Sequence, residues 1–153
     1  MKKVLFCLGI ALCALNVQAD GMVVDYHFGS QISASYLQIM SDGTVNVRER
    51  IMPPFADPVP EVALTASQMA VLSNLIEKAR IAEITQVPFS AALGISTGYL
   101  KVYSGDDEIV IRDYQWSSSN LNGTLRVNAS PEARELEKFV NKYVKCPMPD
   151  LTQ

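Results

Sequence analysis

Apolar and polar residues alternate along much of this chain in two distinct rhythms. Met22 to Phe28 mixes β-branched and aromatic residues and predicts a first strand. Gly29 to Ser33 reads as a turn, and Tyr36, Leu37, Ile39 and Met40 belong to a second strand. After the tight-turn signal Ser41-Asp42-Gly43, Val45, Val47, Glu49 and Ile51 alternate with Thr44, Asn46, Arg48 and Arg50. A period of two predicts a strand with one wet side, on which Glu49 interrupts the apolar face. Residues 35 to 51 therefore read as a β-hairpin.

The rhythm then changes. Leu72, Leu75, Ile76 and Ala79 recur at helical spacing. Thr65 and Gln68 ahead of them have the spacing of a capping box, and Leu64 and Met69 that of a hydrophobic staple. Ile84 to Thr97 is the least legible stretch, broken by Pro88 and Gly94. Tyr99 to Tyr103 and Glu108 to Tyr114 predict two more strands, and Trp116 to Asn128 reads as a polar loop. Ser130-Pro131 opens a second helix, as N-cap and first helical residue. Ala133, Leu136, Val140, Tyr143 and Val144 form its stripe, Lys138, Lys142 and Lys145 favour its negative end, and Pro147 and Pro149 stop it. The expectation is an α+β fold: an antiparallel sheet of about five strands, with two amphipathic helices packed on one face.

The N-terminus carries a different signal. Lys2-Lys3, the apolar run Val4 to Leu15 and then Val17-Gln18-Ala19 have the layout of a signal peptide, residues 1–19, cleaved after Ala19. The run is shorter than the ~20 residues that span a bilayer. Leu12 before Cys13 and Phe6 before Cys7 disfavour a lipid anchor, which normally requires a small residue there. The expected mature chain is a single domain, residues 20–153, periplasmic or secreted. Loss of Lys2 and Lys3 takes its net charge from −3 to −5. No basic cluster is left to track a phosphate backbone, which excludes nucleic acid as a partner.

Candidate chemistry is sparse. Gly94-Ile95-Ser96-Thr97-Gly98 matches the G-x-S-x-G of serine hydrolases, but that chemistry needs a helix after the serine, and here a strand is expected. Ser96 is kept as the nucleophile of an alternative hydrolase reading. Cys146 is the one cysteine of the mature chain, so it can pair only with another molecule, which would make the protein an envelope structural subunit. Its place at the predicted C-terminus of the second helix works against a reactive thiolate. His27, the single histidine, cannot form a zinc set with one distant cysteine. Asp106, Asp107 and Glu108 read as a solvated turn. No metal or other cofactor is expected.

Recognition has better candidates. Pro53, Pro54, Pro58 and Pro60 make residues 52–61 a stiff connector, exposing Pro53, Pro54 and Phe55. Tyr114 and Trp116, followed by a loop rich in serine and asparagine that includes Asn120, have the composition of a recognition surface.

The hairpin around Asp42-Gly43-Thr44-Val45, Leu64-Thr65 before a helix with Leu72, Leu75, Ile76 and Ala79, the Gly98-Tyr99-Leu100-Lys101-Val102 strand and the last helix resemble small exported bacterial α+β proteins. Among these are the emfourin-like inhibitors of metalloproteases. The resemblance covers most of residues 35 to 145 and implies an inhibitory role, and the sequence offers a folded core without a credible catalytic set. The expected function is thus a non-enzymatic binding protein, an inhibitor or an envelope interaction module, with a protein partner in the envelope or outside the cell.

Overall fold

The computed structural model describes residues 21–30, 32–51, 62–90, 96–116 and 122–149, with Ile51, Phe89, Ser90 and Trp116 described as backbone only. The segment read as a signal peptide, the proline-rich residues 52–61 with Pro53, Pro54 and Phe55, Gly94-Ile95 and Asn120 lie outside the described residues.

The elements are β1 (Met22–Gly29), β2 (Ser33–Met40), β3 (Thr44–Ile51), β4 (Val62–Ala63), α1 (Ala66–Arg80), β5 (Ile84–Ser90), β6 (Thr97–Ser104), β7 (Asp107–Trp116), β8 (Asn122–Asn128) and α2 (Pro131–Asn141). All the described strands join one antiparallel sheet in the order β4-β3-β2-β1-β6-β7-β8-β5. The α+β class stands, but the sheet has eight strands rather than about five.

The three additional strands have physical reasons for escaping the sequence pattern. β4 is only two residues long. β5 contains Pro88, which lacks a ladder donor and is tolerated because β5 is a sheet edge. β8, Asn-Gly-Thr-Leu-Arg-Val-Asn, lies in the segment read as a loop. It is held by register with β7 on one side and β5 on the other, Leu125 facing both Tyr114 and Val87.

The hairpin of β2 and β3 matches the expectation, with Ile39 opposite Val45 across the turn. Gly43 takes φ +90 there, a backbone region that side-chain-bearing residues rarely adopt. The capping box of α1 is formed: Thr65 accepts the Gln68 N–H, and the Gln68 side chain accepts the Thr65 N–H at 2.8 Å. Ser130 caps α2 by accepting the Ala133 N–H at 3.1 Å.

Leu72, Ile76 and Ala79 of α1 and Leu136 and Val140 of α2 enter one core with Val24, Tyr26, Leu37, Ile39, Leu100, Val102 and Ile111 of the sheet. Each of the buried valine, leucine and isoleucine side chains among these contributes about 1.5–3 kcal/mol relative to exposure. Because side chains alternate, the residues between them, among them Asp25, His27, Tyr36 and Tyr99, stand on the opposite face of the sheet.

One expectation about α2 is corrected. The helix ends at Asn141 and is capped by Lys142, so Cys146 does not sit at its C-terminus. Tyr143 and Val144 still pack on the core, but the chain from there runs on as a non-helical tail. The tail is fixed to the helix-covered side of the sheet. Tyr26 donates to the Cys146 carbonyl at 2.7 Å, Ser35 Oγ accepts the Cys146 N–H at 2.8 Å, and Arg112 donates to the Pro149 carbonyl at 2.6 Å.

Candidate functional site

The face without helices carries a row of residues set by register. Arg48 of β3 lies opposite Tyr36 of β2, Tyr36 opposite His27 of β1, and His27 opposite Tyr99 of β6. The His27 and Tyr36 rings stack with centroids 4.4 Å apart and planes 13° apart. Tyr99 meets His27 edge-on at 6.0 Å. β2 runs between β1 and β3, and His27 of β1 stacks on the Tyr36 ring. Tyr36 is 38 % exposed, high for a large ring in a sheet.

Neighbouring rows complete the surface. Asp25, Gln38 and Asn46 are register partners on one side, and Ala34 and Arg50 on the other. Together Asp25, Tyr36, Gln38, Asn46, Arg48, Arg50 and Tyr99 border an open concavity of about 630 Å³. That volume is within the range of small-molecule sites.

Electrostatics divides the surface. Tyr99 donates to Asp25 at 3.1 Å, and burial, reinforced by the Asp25 charge, pushes its phenol up to about 12. Lys101 pairs with Glu108 at 3.0 Å and lies 5.3 Å from the Tyr99 centroid. Partial burial holds the His27 imidazole below its usual value, against the opposing pull of Asp25, so the ring is neutral near pH 7. On the β3 side, among the described residues, no ion pair engages Arg48 or Arg50, as is also true of Lys78, Arg134, Lys142 and Lys145 elsewhere on the molecule, whereas Lys101 on the same face is paired with Glu108.

The residues singled out by sequence fall elsewhere. Tyr114 is half-buried on the helix side, its ring 5.7 Å from Phe28, at the margin of the core. Trp116 ends β7, where its register partner is Gly123. Ser96 leads directly into strand β6, so no helix follows it. His27 pairs in register with Tyr99, three residues further along β6, which separates the two by roughly 10 Å of strand. Its ring contacts go to Tyr36 and Tyr99. The Cys146 thiol is free and half-buried. Asp107 pairs with Arg80 at 3.3 Å and Glu108 with Lys101, consistent with a turn whose acids are engaged within the fold. Among the described residues no group of three histidine, cysteine or acidic side chains could hold a metal ion. Nor is any described helix long and apolar enough to cross a membrane.

The open face was missed because its members are spread over four strands, β1, β2, β3 and β6. The available signal was the polar phase of each alternation: Tyr36, Arg48, Arg50 and Tyr99 all occupy outward positions. Comparison with known protein families, curated proteins and solved structures gives no match for this chain.

Proposed function

We propose that this chain is an exported, non-enzymatic binding protein that recognises its ligand through the open face of the sheet. One observation carries the reading. An exposed tyrosine, backed by a stacked histidine, borders a concavity beside two arginines that have no acidic partner among the described residues. Aromatic and arginine side chains together are the usual anchors of recognition surfaces. Unpaired guanidinium groups on an acidic chain are donors available to an incoming anion. A catalytic role has less support, since the single histidine is stacked on Tyr36, meets Tyr99 edge-on and stands away from Ser96.

The test is thermal unfolding of purified protein with and without an extract of the exported fraction. Wild type is expected to gain stability by mass action. A variant carrying Tyr36→Ala and Arg48→Gln is expected to unfold at the same temperature with or without extract. Equal gains in both would remove the open face from the reading. Export is checked separately, by finding that the protein outside the cytoplasm begins at Asp20.

A further inference from the structure

We propose that the ligand of the open face is a small free aromatic carboxylate, its ring laid on Tyr36 and its carboxylate held by Arg48 and Arg50. The assignment rests on the open face being the recognition surface, and adds the chemistry of what it takes.

The ring follows from the stack. His27 covers one face of Tyr36 at 4.4 Å with nearly parallel planes, which leaves the opposite face of the ring unstacked among the described residues, and Tyr36 borders the concavity. A planar guest there becomes the third layer of an existing stack. Such offset ring contacts contribute beyond the area they bury. Because His27 is held neutral, it does not compete for the anion.

The carboxylate follows from charge. Arg48 and Arg50 are two residues apart on β3 and so project from the same face, roughly 7 Å from each other along the strand. Both border the concavity, and neither has an ion pair among the described residues. A guanidinium matches a carboxylate with two parallel donors. Asp25 lies on the β1 side of the same concavity, already accepting from Tyr99. Its negative charge turns an anionic guest around, so the carboxylate points to β3 and not to β1. Gln38 and Asn46 border the intervening strip and can take a ring hydroxyl. The volume, about 630 Å³, admits a free small molecule.

The experiment is amide and side-chain NMR titration of the purified protein with 4-hydroxybenzoate, 4-hydroxybenzamide and cyclohexanecarboxylate. 4-Hydroxybenzoate is expected to shift Tyr36, Arg48 and Arg50 at up to millimolar concentration. The amide, lacking charge, and the cyclohexane acid, lacking a planar ring, are each expected to bind about tenfold more weakly. Arg48→Gln with Arg50→Gln should reduce the acid to the level of the amide. Both positions are exposed, and an unchanged far-ultraviolet spectrum confirms that the variant is folded. Equal affinity for the acid and the amide, or for the aromatic and the cyclohexane acid, overturns the assignment. So does a complete absence of shifts. A ligand of different chemistry that shifts the same residues would overturn the assignment while leaving the open face as the recognition surface. Shifts confined to other parts of the molecule would overturn both.

Discussion

Glu49 accepts the backbone N–H of Lys145 at 3.0 Å, although 96 residues separate them. The other carboxylate oxygen accepts from Ser35 Oγ at 2.5 Å, and Ser35 in turn accepts the Cys146 N–H. One acid on β3 thus organises the tail that follows α2. Replacing Glu49 by Ala is expected to cost about 2–3 kcal/mol, because charge-assisted bonds are lost and the fully buried Ser35 is left short of a partner. Glu49→Gln should cost less, since an acceptor remains. Urea unfolding measures the loss. Faster labelling of Cys146 by a thiol reagent, in native buffer, would report the loosened tail directly.

That contact also shows where local pattern is sufficient and where it stops. The β2–β3 hairpin, the Thr65 capping box and the Ser130-Pro131 helix start all depend on residues a few positions apart, and each was legible. The Glu49 position looked like a flaw in an apolar face because its partners lie at the far end of the chain. β7 conceals a second long-range effect. Leu100 pairs with Arg112 and Lys101 with Val110, so Ile111 is an extra residue. This bulge turns Arg112 to the helix side, an orientation that strict alternation assigns to the opposite face. The candidate site is the same kind of problem. His27 has no partner nearby in sequence, and its stack with Tyr36 exists only through the β1–β2 register.

Arg112 is 3 % exposed and donates to Glu137 at 2.6 Å, a residue itself only 15 % exposed. Its Nε is buried without a partner, so the pair is not fully satisfied. Arg112→Met alone is expected to cost about 3–5 kcal/mol, because Glu137 keeps a charge in a dry site and the Pro149 carbonyl loses its donor. Adding Glu137→Leu should recover part of that loss. Denaturant midpoints of the two single variants and the double variant form the cycle that measures it. A double variant less stable than the Arg112→Met single would contradict this account.

Gly98 of β6 lies opposite Phe28 of β1. A Cβ built there runs into the His27 carbonyl oxygen and the backbone of Phe28, neither of which can move without disturbing the sheet. Gly98→Ala is expected to destabilise by more than about 2 kcal/mol, the range of changes that force backbone displacement. It should also disturb the ring stack of His27 on the other side of the same peptide. Urea unfolding and the aromatic proton shifts of Tyr36 check both effects. Gly105→Ala, which meets open space, is the contrasting case despite its positive φ.

Burial lowers the His27 pKa, and only the Asp25 charge opposes this. The unfolded chain therefore binds a proton at His27 more readily than the folded one. Above 6.5, the ordinary value, both forms are neutral and this group makes no difference to stability. As pH falls below 6.5, the unfolded state is protonated first and stability declines, until the folded-state pKa is passed. His27→Gln is expected to remove that decline while leaving the acid unfolding due to carboxylates. The same protonation places a positive charge against Tyr36 and beside Asp25, so the stack should loosen in the same interval. Urea midpoints of wild type and His27→Gln, measured on both sides of pH 6.5, should diverge only on the acid side. Parallel profiles would show that His27 is equally free to titrate in both states.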